Sequence, residues 1–184
     1  MEKIADIIKG DLLLAQPFMD DENFKRTVIL ITEHDEDGTL GLVLNRKSMF
    51  TLKAVVPDFP SDTFPLYLGG PVGLDRLNFV HSYGDTIEGG HHISENIYWN
   101  GNYEQLKDLV RKGQIMPQNI KFFIGYSGWG KDQLEEEMKE DSWIVAKNFK
   151  EYFRSHEYMW KRIMIQLGGK YKLMSTYPED PQWN

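Results

Sequence analysis

The segment Ile120 to Met138, IKFFIGYSGWGKDQLEEEM, carries Gly125, Gly130 and Lys131 at the G-x-x-x-x-G-K spacing of a phosphate-binding loop. Such a loop works because a glycine-rich turn leads a strand into a helix N-terminus, where free N–H groups and a partial positive charge hold the anion. The motif continues with Ser or Thr to reach magnesium, whereas this chain has Asp132, which sets a carboxylate beside the phosphates. Trp129 is bulky for a backbone cradle, and Asp132 has a simpler role as an acid in the first turn of a helix. The same residues approach a nucleophile elbow, G-x-S-x-G, but Gly128 directly follows Ser127 and Trp129 stands where the elbow needs a small residue. Ser127 therefore reads as a turn hydroxyl bonding nearby backbone.

Other chemistry-bearing residues are dispersed. His34, His81, His91, His92 and His156 show no H-E-x-x-H spacing, and His91 and His92 face opposite ways on an extended chain. His34 is the one to watch, because it ends a strand among Glu33, Asp35 and Asp37. The loops MDDEN and EHDEDG offer oxygen ligands without the alternating spacing of a calcium loop, so they read as solvated turns, and no metal ligand is assigned.

Composition narrows the classes of function. At 184 residues with 41% hydrophobic and 27% charged, the chain is globular and long enough to bury roughly 70% of its unfolded surface without staples. The absence of cysteine removes disulfides, thiolate metal sites and cysteine nucleophiles, and it suits a reducing cytoplasm. The N-terminus, MEKIADIIKGDLLLAQP, has no apolar run fit for a signal sequence, and no stretch approaches the roughly 20 apolar residues of a membrane helix. The expectation is a cytoplasmic protein that does not engage membranes. A formal charge of −7 argues against direct DNA binding, which draws on lysine and arginine. The basic residues form only short clusters such as KRTV, MWKR and GGKYK.

The elements that must position these residues change character along the chain. DLLLAQ, TVILIT and TLGLVLN read as strands, the last two joined by a hairpin at Asp37-Gly38. TLKAVV has a short helical pattern, Leu66 to Leu68 a brief strand, GGPVG a turn, and LNFVHSY and NIYW further strands. Asn102 caps a helix over YEQLKDLVRKG, IKFFIG is a strand ending in the glycine turn, Asp132 to Lys139 is a helix and SWIVA a strand. FKEYFR and EYMWKRIMIQLGG read as C-terminal helices within 149–169, and 174–184 as a loose tail. Strands early and helices late point to α+β, with 1–184 forming a single domain.

Several of these pieces, in this order, resemble the bacterial AlgH/YqgE family over Gly10 to Ala146. The first block falls on Gly10, Leu13, Ala15, Pro17, Phe24, Arg26, Val28, Glu33, His34, Gly38, Gly41 and Asn45. The glycine turn falls on Gly69, Gly70 and Pro71, and the third block on Gly125, Tyr126, Trp129, Gln133, Leu134 and Glu135, with Trp143 beyond. Gly130 and Lys131 occupy variable positions of that block, so the phosphate-loop spacing is an accident. Asp132 departs from the glycine the family usually has there.

The resemblance implies an α+β domain whose mixed, largely antiparallel sheet is partly closed into a barrel and flanked by helices. It brings a label of transcriptional regulator, and no catalytic residue, cofactor or substrate. The function expected is a non-catalytic binding module acting through a protein partner or small ligand. Its surface is expected at His34, Asn45, Gly69, Gly70, Pro71, Tyr126, Trp129, Gln133 and Glu135. The alternative is a hydrolase using His34 with nearby carboxylates or a metal. Convergence of these residues on one pocket would favour a small-molecule site.

Overall fold

A computed structural model describes residues 7–179. The strands are β1 (Leu12–Ala15), β2 (Val28–Asp35), β3 (Gly38–Val43), β4 (Lys47–Thr51), β5 (Pro65–Leu68), β6 (Val72–His81), β7 (His91–Ser94), β8 (Ile97–Trp99), β9 (Ile120–Gly130) and β10 (Trp143–Ala146). The helices are α1 (Leu52–Val55), α2 (Tyr103–Arg111), α3 (Gln133–Lys139), α4 (Met159–Leu167) and α5 (Gly169–Met174). No helix among the described residues is long and apolar enough to cross a membrane.

The strands run in the order β10-β1-β2-β3-β9-β6-β8-β7, all antiparallel along this path. β5 joins β9 in parallel, and β4 joins β5. The first half of β9 pairs with β5 and β6, and its second half with β3. The sheet forks where β5 enters beside β3, so β9 is the strand common to both branches.

Both faces of the first branch are covered. Leu12, Leu14, Val28 and Leu30 point into one core with Phe123, Trp160 and Ile163, while Leu13, Ala15, Ile29 and Ile31 point into a second with Trp129, Leu134 and Trp143. This is why DLLLAQ and TVILIT are apolar at successive positions: a strand buried on both faces has no polar side to alternate with. A third core, with Phe59, Phe64, Phe79, Leu106 and Phe122, lies under α2 on the other branch. Asn102 caps α2 as its position implied, its side chain accepting from Gln105 N.

Four expectations are corrected. The sheet is not closed into a barrel: among the described residues β10 pairs only with β1 and β7 only with β8, because the fork at β9 diverts pairing to β5 and β4. GYSGWG is no turn but the second half of an eleven-residue strand, held extended by β3. FKEYFR is not helical. Its aromatic residues pack singly onto the first core, and Tyr152 donates from its hydroxyl to Gly10 O at 3.2 Å. The tail begins as structure: α5 reaches Met174, and Tyr177 stacks on Phe18 with ring centroids 5.5 Å apart. Residues 180–184, assigned to the tail, and the first six residues lie outside the described residues.

Candidate functional site

The glycines of GGPVG and the third block meet each other. Gly69 N donates to Ile124 O at 2.9 Å, and Gly69 O accepts from Val43 N at 2.9 Å, so this residue ties both branches at the fork. The chain then passes over β9 to its other edge, where Val72 pairs with Tyr126. Backbone lies directly on backbone there: a Cβ on Gly70 would sit 2.2 Å from Tyr126 C and O, and one on Gly69 2.4 Å from Gly125 O. Gly125 has φ +71, and a Cβ on it would meet Gly70 O at 2.6 Å. Ser127, fully buried, donates its hydroxyl to Gly69 O at 3.1 Å. Three glycines and a serine thus build a strand crossing, not a phosphate cradle or a nucleophile.

The aromatic half of the block is equally occupied. Glu137 Oε2 accepts both indole N–H groups, from Trp129 at 2.9 Å and Trp143 at 2.7 Å, while its Oε1 accepts from Gln133 Nε2 at 3.0 Å. Gln133 Oε1 in turn accepts from Gly130 N at 3.0 Å. Phe24 packs against both tryptophans. Asp132 lies outside the first turn of α3 as its N-cap, at φ 62 and without a side-chain cap bond. Glycine takes that left-handed conformation at least cost, and Asp is among the few side chains that tolerate it. Asn45 is also internal: its Oδ1 accepts from Val28 N and its Nδ2 donates to Arg26 O, both at 2.9 Å.

The nine expected surface residues do not converge. Gly70 and Pro71 border a cleft with Leu68 and Leu74, Asn45 borders one with Arg26 and Trp160, and His34 and Glu135 border a third with Lys131. Tyr126 and Trp129 border a fourth, and Gly69 and Gln133 line none of these. His34 Nδ1 bonds Thr39 Oγ1 at 2.7 Å and not a carboxylate, since its strand neighbours Glu33 and Asp35 alternate to the opposite face. Among the described residues no group of three potential ligands is placed to hold a metal ion.

The fourth cleft is the largest of these four, an open groove of about 520 Å³ at the end of the β2–β3 hairpin. Leu40, Val72, Tyr126, Gly128 and Gly130 form its floor and Glu33, Asp35 and Asp37 its rim, and among the described residues no basic side chain lines it. Leu40 pairs with Gly128 and Gly38 with Gly130, which puts these glycines on one face of the sheet. Neither Gly128 nor Gly130 has a positive φ. A Cβ on Gly130 would meet nothing closer than 3.9 Å, and one on Gly128 only the movable ring of Tyr126 at 3.3 Å. Neither backbone conformation nor close packing demands glycine at these two places, and the missing side chains leave the groove open. Sequence reading missed this because G-x-G at period two looks like turn chemistry; Glu137 was missed within an unremarkable acidic run, although it stands four residues from Gln133.

Two buried titratable groups are structural. His81, fully buried, is pulled below its ordinary range by burial; its Nε2 donates to Asn100 O at 3.0 Å while Nδ1 accepts from Tyr83 N at 3.2 Å. Lys121 is 4% exposed and donates to Leu44 O at 3.1 Å and Arg154 O at 3.2 Å, with its ammonium 4.6 Å from the centre of the Tyr67 ring. Burial, aided by the nearby Arg162 charge, lowers its pKa to about 7.

Fold and site together define an α+β protein organised around a forked sheet and a glycine crossing, with an open acidic groove beside it. The chain belongs to the AlgH-like family, whose family model matches residues 12–172. It is 42% identical over 177 residues to a UPF0301 protein of Chlorobium limicola, covering 95% of each chain. A Bacteroides thetaiotaomicron UPF0301 protein is 35% identical over 179 residues, covering 96% of this chain and 91% of that one. The solution structure of the AlgH protein from Pseudomonas aeruginosa superposes with a TM-score of 0.74 at 28% identity, covering 97% of this chain and 98% of that one. A crystal structure of a Corynebacterium diphtheriae protein shares the fold, with a TM-score of 0.76 at 24% identity over 96% of this chain and 95% of that one.

Proposed function

We propose that this protein is a non-catalytic binding module that takes a basic, partly apolar segment of a protein partner into the β2–β3 groove. The observation that carries this reading is the groove's construction: an apolar floor opened by Gly128 and Gly130, under a rim of Glu33, Asp35 and Asp37 with no lysine or arginine to offset it. An arginine or lysine side chain suits such a surface, since its stem covers apolar floor while its charge meets the rim. Asp35, Glu36, Asp132 and Glu135 border the adjoining cleft with Lys131 and His34, so carboxylates also outnumber basic side chains on the wider surface, which steers the same kind of partner. The residues that would have to perform chemistry are engaged elsewhere: Ser127 at the crossing, and His34 on Thr39.

The test is binding of a fluorescent peptide rich in arginine and leucine to the wild type, Gly128→Val and Asp35→Lys, at low and moderate salt. Saturable binding that weakens with salt, and that both variants lose while remaining folded, is the expected result. Retention of binding by Gly128→Val would show that the peptide reads diffuse charge and not the groove.

A further inference from the structure

Two basic clusters far apart in sequence, KRTV and MWKR, come together at a cleft of about 400 Å³ bordered by Arg26, Asn45, Tyr158, Met159, Trp160, Lys161 and Glu179. Lys25 and Arg162 are paired, with Glu22 and Glu151, each at 3.8 Å. Arg26 and Lys161, which border the cleft, form no ion pair among the described residues. The Arg26 guanidinium is nonetheless held in place. Its Cζ lies 4.7 Å from the centre of the Trp160 ring, Nη2 donates to Tyr177 O at 2.6 Å, and Nε is buried without a hydrogen-bond partner. A half-buried guanidinium with one carbonyl acceptor and no counter-charge carries an unrelieved desolvation cost.

The backbone adds to the same field. The nine-residue helix α4 begins at Met159, and its N-cap, Tyr158, supplies no side-chain hydrogen bond. Met159 N already donates to His156 O at 3.3 Å, and the N–H groups that follow it, on Trp160 and Lys161 at the cleft, add the positive end of the helix dipole to the two cations. Glu179 also borders the cleft, but no ion pair joins it to either cation. In a chain of net charge −7 this is a local positive pocket, and its volume lies in the range of small-ligand sites, well above that needed for a bare ion.

We infer that this cleft binds a small organic anion, whose phosphoryl or carboxylate oxygens sit between Arg26, Lys161 and the N-terminus of α4. Arg26 supplies a pre-positioned planar donor, Lys161 a mobile charge and Trp160 the apolar wall beneath the guanidinium. This site is independent of the acidic groove.

The experiment titrates the isotope-labelled full chain with inorganic phosphate, acetate and chloride at matched ionic strength, following the Trp160 and Lys161 amides. Saturable shifts with phosphate assign a phosphoryl group, and saturable shifts with acetate a carboxylate; chloride gives only a small linear change. Lys161→Met, at an exposed position, weakens the binding at least about threefold, and Arg26→Met abolishes it. If Arg26→Met does not fold, the Lys161→Met result decides. Shifts that never saturate with either oxyanion, or that are unchanged in Lys161→Met, overturn the inference.

Discussion

Lys121→Met should remove a pH dependence from the protein's stability. The lysine is 4% exposed, faces two backbone carbonyls and the Tyr67 ring, has no carboxylate partner among the described residues, and carries a folded-state pKa of about 7 against 10.5 for the ordinary side chain. Between these values the unfolded chain holds a proton that the folded chain lacks, so stability rises with pH at up to about 1.4 kcal/mol per pH unit. Below pH 7 both states are protonated and the full cost of the buried ammonium is present; above 10.5 both are neutral and the cost has gone. From pH 7 to 9 the wild type should gain about 2 kcal/mol relative to Lys121→Met. Tyr67 leaves that window clear, since burial raises its phenol above the ordinary value. Urea unfolding of both proteins at pH 7, 8 and 9 measures the difference. A wild-type-to-variant difference that does not change with pH would refute the reasoning, because the ammonium would then be held charged by the carbonyls and the ring.

Three further predictions concern the Glu137 clamp, the glycines of the crossing and the groove, and Ser127. Glu137→Leu leaves two indole N–H groups without their acceptor on tryptophans 5% and 4% exposed, and should cost about 3–5 kcal/mol; Glu137→Gln keeps an oxygen there and should cost about 1 kcal/mol, both read by urea denaturation. Gly70→Ala drives a Cβ into Tyr126 backbone and should lower stability by more than about 3 kcal/mol or prevent folding, whereas Gly130→Ala should stay within about 1 kcal/mol of the wild type by thermal unfolding. Ser127→Ala strips one buried hydrogen bond from Gly69 O, for a loss of about 1–2 kcal/mol.

What could be read from sequence followed the strength of local signals. Leu12 to Ala15 and Val28 to Ile31 announce strands because burial on both faces demands apolar side chains at every position. Asp37-Gly38 announces the hairpin, and Asn102 the start of α2. The second half of β9 was illegible because Gly125, Gly128 and Gly130 look like turn residues when viewed locally. Their reasons lie across space, in Gly70 crossing over and Leu40 facing the groove. The same holds for β6, whose first residues hide in GGPVG, and for β7 after Gly89-Gly90. At the site, residue types drew attention to His34, Asn45 and Gln133, whose polar groups are spent on internal bonds. Arg26 and Lys161 reach one cleft only through the packing of α4 against the first core, a contact that no local spacing encodes.

Gly69, Gly70 and Gly125 build the crossing and Trp129, Gln133 and Trp143 the Glu137 clamp, and the proposed working surface is the acidic groove. The most direct measurement is amide chemical-shift mapping of the isotope-labelled protein during titration with the arginine- and leucine-containing peptide. Shifts concentrated at Glu33, Asp35, Leu40, Gly128 and Gly130, with Asn45 and Gly69 still, are the expected result. Shifts centred on Asn45 and Gly69, or none at the groove while the peptide binds, would contradict it.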